Sequence, residues 1–420
     1  MNNKVKTSFV LFLLCIGIIN ISAFSFATEL RSVLLLQSYH SGYKWSDDID
    51  NAIKQKLTRK EGIDLRIEYL DTKRYFSSEY LQMIKESLKR KYFDVEFEVI
   101  ICVDNNAFSF ILDNRVELFG GTPIVFCGVN LFKPEMIEKE TGITGVNEHF
   151  DALETIKLML QIHPDTRRVV VVNDDTTTGK ILASEIKEIT LKFSNIEWVF
   201  TENFTFGDLK ELLSSLEQGD LVLHSLFLRD SAGVFLEYDL AARLITDNSH
   251  VPVYSLWDFN LGHGVIGGLM VSSKHQGEEA AKLTLKILHG TPVEEIPVIM
   301  KSPNRYFADY SVLQKMDVEV SNFPDQTIFI NKPETLYSKY KLQIWSTGLL
   351  VAILSLTSFI LSITVAKRKV AEAKLLKLTQ ELDDRVKIRT HELTRATNEL
   401  KIREQDMKRL IGNLSGVVYR

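Results

Sequence analysis

Short apolar runs rich in Val and Ile alternate with helix-spaced stretches through residues 30–300, which predicts an α/β fold on parallel sheets covered on both faces. The rhythm restarts near residue 150, so two βαβ lobes are expected in series, with a cleft between them. A single uncharged run, Ile344 to Ala366, is long enough to cross a bilayer, since about 20 apolar residues suffice. Heptad spacing beyond it predicts a helix that pairs with a copy of itself.

In the first lobe, Val33–Leu36 reads as a buried strand and Trp45–Leu57 as a helix. The strand Leu65–Tyr69 and the helix Ser78–Lys91 follow. Phe97–Val103 and Thr122–Phe126 are strands with a helical piece, Ala107–Leu112, between them. The second lobe opens with the helix Ala152–Ile162 and the strand Arg168–Val172. Then come Lys180–Phe193 (helix), Ile196–Phe200 (strand), Asp208–Leu216 (helix) and Leu221–Leu223 (strand). Ser231–Leu244 reads as a helix, Pro252–Tyr254 and Val265–Val271 as strands, and Gly277–Leu288 as the last helix. From Pro292 to Lys341 the rhythm is lost, and Pro297, Pro303, Pro324 and Pro333 suggest a docking and connecting stretch.

The ends of the chain carry targeting signals. Lys4 and Lys6, the apolar run Phe9–Ile21 and the small-x-small site Ser25-Phe26-Ala27 predict a signal peptide over residues 1–27, with a retained signal anchor as the alternative. Cys15 follows Leu14 rather than a small residue, which argues against lipidation. Cys102 and Cys127 end apolar strands and are expected as small buried thiols, a disulfide being the alternative in an oxidising compartment. Trp345 at one end of the apolar run and Lys367-Arg368-Lys369 at the other fit an interfacial indole and a cytoplasmic flank.

Net charge is −5, unevenly spread: residues 367–409 hold 13 Lys/Arg against 8 Asp/Glu, a balance of +5, leaving −10 elsewhere. The basic stretch beside a membrane suits anionic lipid; nothing in the acidic remainder points to nucleic acid. Leu382, Val386, Leu393, Ala396, Leu400, Met407 and Leu410 fall on one heptad seam, which Arg389 and Arg403 interrupt. A parallel homodimer is expected, a solvated single helix being the alternative.

Ligands of open α/β sheets bind beyond the carboxyl ends of the strands. The polar and aromatic residues directly after strands are therefore the candidate ligand set. They are Ser38, Tyr39, His40, Tyr43 and Trp45 after the first strand, Asp104 and Asn105 after the third, and Gly128 and Asn130 after the fourth. The second lobe adds Asp174, Thr178 and Gly179, then Ser225, then Trp257 and Asp258. Helix N-termini beside these turns present free N–H groups suited to a carboxylate or phosphate. Asp104, Asp174 or Ser225 could instead cap a helix, and Trp45 and Trp257 could be core packing.

Enzyme motifs do not gain support. Gly262-His263-Gly264-Val265-Ile266-Gly267 matches GxGxxG, but a strand-like run follows it, where the dinucleotide motif opens a helix. There is no HExxH, GxSxG, CxxC or GxxxxGK[ST]. No cofactor or metal is expected.

Several stretches together resemble a family: Leu36-Gln37-Ser38-Tyr39-His40, Tyr43-Lys44-Trp45, Tyr69-Leu70-Asp71-Thr72-Lys73, Pro123 to Asn130, and Gly264-Val265-Ile266-Gly267-Gly268. Residues 30–300 are similar to ABC transporter substrate-binding proteins of the tryptophan/tyrosine-binding type. That resemblance implies a two-lobed type I periplasmic-binding fold and an amino-acid-like or planar aromatic ligand. The order of export signal, binding domain, membrane helix and coil looks like the sensor part of a bacterial receptor. Arg385–Leu393 is similar to linkers before PAS and histidine-kinase modules, and residues 406–420 look like the opening of a PAS domain. The resemblance implies a histidine-kinase output first and a diguanylate cyclase second; a tethered transport-binding protein is the alternative. The expected division is 1–27 signal peptide, 28–300 periplasmic binding domain, 301–343 connector, 344–366 membrane helix, 367–405 cytoplasmic coil and 406–420 PAS-like start. The expected location is the bacterial inner membrane, with the bulk of the chain periplasmic.

Overall fold

The structure is a computed structural model that describes residues 30–414; the expected signal peptide and the last six residues lie outside them. It forms two compact units, one reaching Lys332 and one beginning at Pro333.

The first lobe comprises β1 (Arg31–Gln37), α1 (Lys44–Lys56), β2 (Ile63–Tyr69), α2 (Ser78–Lys91), β3 (Val99–Val103), α3 (Asp104–Phe119), β4 (Ile124–Asn130) and β5 (Ile143–Glu148). Its strands pair in the order β2-β1-β3-β4-β5, all parallel. Both faces are covered, so β1 and β3 are continuous apolar runs. Alternate residues face opposite cores: Val33 and Leu35 on one side, Leu34 and Leu36 on the other.

The second lobe repeats the plan with α4 (Ala152–Ile162), β6 (Arg168–Asn173), α5 (Thr177–Thr190), β7 (Glu197–Phe200), α6 (Phe206–Ser214), β8 (Asp220–Leu226), α7 (Tyr238–Asn248) and β9 (Val253–Ser255). Its order is β7-β6-β8-β9, again parallel. Side-chain caps start the helices here: Asp151 accepts from Glu154 N, Thr176 from Gly179 N, and Thr205 with Asp208 forms a capping box.

A third sheet joins β10 (Gly267–Met270), β11 (Arg305–Asp309) and β12 (Ile328–Ile330), with α8 (Ser273–Leu288) and α9 (Tyr310–Lys315) between the strands. Helix α8 returns to the first lobe and packs on α1. The approach is close: a Cβ at Gly277 would stand 2.8 Å from the Ile49 carbonyl oxygen.

Three expectations need correction. Strand β5 has no sequence signature because Ile-Thr-Gly-Val-Asn-Glu shows neither alternation nor an apolar run; its neighbours hold it, with Asn147 N donating to the Ile299 oxygen at 2.9 Å. The helix expected from Ser231 starts at Tyr238, because the Asp230 carboxylate accepts from Val234 N at 2.8 Å and folds the chain into a turn. The stretch after Pro292 is not merely connecting, since β11, α9 and β12 lie in it; these pieces are too short to carry a period.

The second unit is the helix α10 (Leu336–Leu414), with one non-helical residue at Tyr340. Among the described residues it is the one helix long and apolar enough to cross a membrane. Its seam residues Leu382, Val386, Leu393, Leu400, Met407 and Leu410 are all exposed in the single chain. Residues 406–414, expected to open a PAS-like module, continue this helix, and 415–420 lie outside the described residues.

Cys102 and Cys127 are free and fully buried. They lie on neighbouring strands, but Cys102 pairs with Phe126 and Cys127 with Val103, so their side chains face opposite cores. A disulfide would require turning one strand over. Both thiols should resist an aromatic disulfide reagent in the native chain and react once it is unfolded in guanidinium; reaction of either in the native state would contradict this burial.

Candidate functional site

The strand orders place a crossover reversal between β1 and β3 in one lobe and between β6 and β8 in the other, the points where such sheets leave a crevice. A cavity of about 140 Å³ lies there. From the first lobe come Tyr39, Tyr43 and Trp45 beyond β1, Lys73 beyond β2, and Asp104, Asn130 and Glu148 at the ends of β3, β4 and β5. The second lobe supplies Thr178 on α5, Leu226 and Leu228 around the end of β8, and Trp257 and Phe259 beyond β9.

Two buried carboxylates dominate its electrostatics. Asp104 accepts from the Trp45 indole N–H at 2.7 Å and from the Tyr39 hydroxyl at 2.9 Å. Its backbone takes φ = 71°, a left-handed conformation that Asp tolerates better than most residues. Its carboxylate therefore does not cap α3. Burial pushes the Asp104 carboxyl up to about 6, against hydrogen bonds from Tyr39 and Trp45 and the charge of Lys73. Glu148 accepts from the Trp257 indole N–H at 3.1 Å, a bond that crosses from one lobe to the other. Burial, and then the negative charge of Asp104, pushes its carboxyl well above the usual range.

Lys73 is an exposed residue whose ammonium lies over the Tyr39 and Tyr43 rings, 4.5 and 5.4 Å from their centroids. Loss of water around the ammonium lowers its pKa, opposed by the charges of Asp104, Glu237 and Asp174. Aromatic rings enclose the rest. Trp45 meets Phe259 edge-on at 6.3 Å, Phe259 stacks on Trp257 at 6.4 Å, and Tyr43 meets Tyr238 edge-on at 6.0 Å. Rings of the two lobes thus touch around the cavity.

Of the expected ligand set, Tyr39, Tyr43, Trp45, Asp104, Asn130, Thr178 and Trp257 line this space. The remaining eight do not line it. Ser38 is buried, donating to the Val103 oxygen and accepting from Ala107 N, which ties β1 to the start of α3. His40 faces Asp71 at 3.4 Å. Asn105 exchanges hydrogen bonds with the Asn130 backbone, and Gly128 N donates to Gln276 at 3.2 Å. The Asp174 carboxylate accepts from Thr176 N and Leu228 N, which fixes the turns after β6 and around the end of β8. Gly179 packs so tightly on Asp174 that a side chain there would overlap it. Ser225 is buried in β8 and caps nothing. Asp258 points instead into a hollow beside Lys44 and Asp48.

Sequence reasoning missed Lys73, Glu148, Leu226, Leu228 and Phe259. Lys73 closes the Tyr69–Lys73 stretch that carried the resemblance, and Glu148 ends the one strand of this sheet that showed no pattern. Larger hollows lie elsewhere, one of about 680 Å³ beside His149 and Arg305. It is lined mainly by residues 300–306 and the start of α4, whereas the smaller cavity combines buried acids, rings from both lobes and strand ends of both sheets.

The fold and this interlobe cavity define a binding-protein architecture. The chain belongs to the ABC transporter substrate-binding protein family, which it matches over residues 71–323. Among solved structures it is similar to the ligand-free, open substrate-binding protein CD0873 of Clostridium difficile, with a TM-score of 0.55 and 13% identity over 72% of this chain and 100% of that one. It is also similar to an ABC domain from Streptococcus pneumonia in complex with L-Trp, with a TM-score of 0.50 and 12% identity over 71% of this chain and 100% of that one. At such identities the likeness is one of fold. No curated protein matches the chain in sequence.

Asp258 offers a pH test. Burial raises its carboxyl to about 6, with a hydrogen bond from Ser272 opposing and Asp48 adding to the rise. The unfolded chain releases this proton near the ordinary carboxylate value of about 4. Between the two values the folded chain binds the proton more tightly, so this group's contribution to stability falls as pH rises from about 4 to about 6 and stays low above. Asp258→Asn should therefore gain in melting temperature relative to the parent between acidic and neutral pH. Paired thermal melts with a constant difference would reject it.

Proposed function

We propose that the chain is a ligand-sensing receptor: a small molecule binds between the two lobes, and α10 carries the resulting change across the bacterial inner membrane. The observation that carries the binding half is the interlobe cavity at the strand ends, walled by Tyr39, Tyr43, Trp45, Trp257 and Phe259. Flat ring walls with a few fixed polar groups suit an amino-acid-like or planar aromatic ligand. At about 140 Å³ the cavity is below the roughly 300–1,000 Å³ of drug-sized sites, which favours a small ligand or one admitted by parting the lobes. Only a ligand that binds the closed lobes better than the open ones can drive the switch.

The signalling half rests on the exposed heptad seam of α10. An isolated helix gains nothing by showing Leu382, Val386, Leu393 and Leu400 to water, and a parallel homodimer would bury them. The apolar run 344–366 supports a crossing with residues 367–405 on the cytoplasmic side. The similarity of Arg385–Leu393 to linkers before kinase modules supports a histidine-kinase type of output, with a diguanylate cyclase as the next candidate. Family membership favours a second reading, a membrane-tethered binding protein that delivers its ligand to a permease; delivery needs no paired helix inside the cell.

Two measurements test these halves. In a thermal-shift screen of the detergent-solubilised chain against amino acids, nucleosides and small peptides, one compound should raise the melting temperature with dose. At a hundredfold excess over Kd the gain is about 2.7 kcal/mol. Trp45→Ala and Trp257→Ala should each abolish that shift; unchanged affinity would return both indoles to packing roles. Separately, Leu393→Cys should cross-link to its counterpart when membranes are oxidised. A chain that stays monomeric favours the tethered binding protein.

A further inference from the structure

The two buried acids of the cavity are unequally provided for. Asp104 receives an indole N–H, a tyrosine hydroxyl and the nearby charge of Lys73. Glu148 is 4% exposed and receives a single donor, the Trp257 N–H, on one oxygen. Its other oxygen, Oε2, is buried and has no hydrogen-bond partner. A buried carboxylate oxygen left in this state is costly, and a donor entering the cavity relieves it.

The charge count points the same way. Asp104 and Glu148, when ionised, outnumber the single ammonium of Lys73, leaving one negative charge to be met. Aromatic rings from both lobes line the same space, and such rings attract a positive group as well. A metal ion fits poorly, because the described residues hold no group of three His, Cys, Asp or Glu placed to bind one, and hard cations take six or more oxygens.

We infer that Glu148 reads the charge of the ligand: its free oxygen accepts a hydrogen bond from a protonated nitrogen, so the ligand is a small organic cation, an ammonium or amidinium on a planar or aromatic body. This rests on the ligand-binding reading above and specifies the class of ligand. The competing arrangement is a Glu148 that keeps its proton and donates to a neutral ligand, a role that a glutamine amide fills equally well.

The test uses the full chain in detergent and probes matched in shape but not in charge: phenethylamine with 2-phenylethanol, tryptamine with tryptophol, and benzamidine with benzamide. Calorimetry should find at least one cation bound about tenfold or more tighter than its neutral partner, as expected of a charge-assisted hydrogen bond. Glu148→Gln should erase that preference while its unliganded melting temperature stays within a few degrees of the parent. Should that variant fail to fold, Glu148→Asp carries the test, losing affinity yet still ranking the cation above the neutral partner. Equal binding of both partners, or a preference that survives Glu148→Gln, overturns the assignment. If no cation binds while a nucleoside or another compound without a protonated nitrogen does, the assignment falls and the ligand-binding reading stands. Binding by nothing removes both.

Discussion

Two indole N–H groups, one from each lobe, are held by two buried carboxylates that both end strands of the first sheet. Trp45 donates to Asp104 within the first lobe, and Trp257 donates across the cleft to Glu148. Carboxylates at such depth are costly unless donors and charges satisfy them, so the surrounding architecture is constrained by that demand. Tyr39 must leave β1 toward Asp104, and Asp104 must adopt a left-handed backbone at the head of α3. Strands β5 and β9 must end facing each other across the cleft. On Glu148 the demand is met at one oxygen only, since Oε2 has no hydrogen-bond partner.

The rest of the fold holds these strand ends still. The central strands of the two parallel sheets, β1, β3, β6 and β8, are buried on both faces, which keeps their carboxyl ends well placed, while the connecting turns carry the chemistry. Helix α8 follows β10 and packs on α1 through Gly277, which ties the third sheet to the first lobe. Asp174 and Ser38 hold the turns near the cavity without lining it. Loss of either would loosen the walls, because their bonds are made inside the protein.

Much of both lobes was legible because the signals are local. The starts of α2 and α4 follow from Ser77 and Asp151, whose side chains cap them, and from the periodicity that follows. Strands β1, β3 and β6 announce themselves as uninterrupted Val, Ile and Leu. Strand β5 does not, because its place is fixed by β4 on one side and by residues near Ile299 on the other. With β5 went Glu148, since a residue is marked by following a strand only when the strand is seen. The rule that polar residues beyond strands bind ligand also overreached. It selected Asp174, Ser225 and Asp258 along with Asp104, and nothing local separates a carboxylate that ties a turn from one that faces a cleft.

The sequence by itself determined the α/β class, the parallel sheets with their restart near residue 150, the apolar helix near the C-terminal end, and the heptad seam beyond it. Each is a matter of period and run length, properties that a single stretch of chain carries. Only the tertiary structure decided which strand-end residues meet, that Cys102 and Cys127 face opposite cores, and that Lys73 and Glu148 share a cavity with Asp104. Those outcomes depend on sheet order and register, which bring together residues as far apart as Tyr39 and Phe259. No local pattern encodes such a meeting, because the free energy that fixes it is spread over the packing of both lobes.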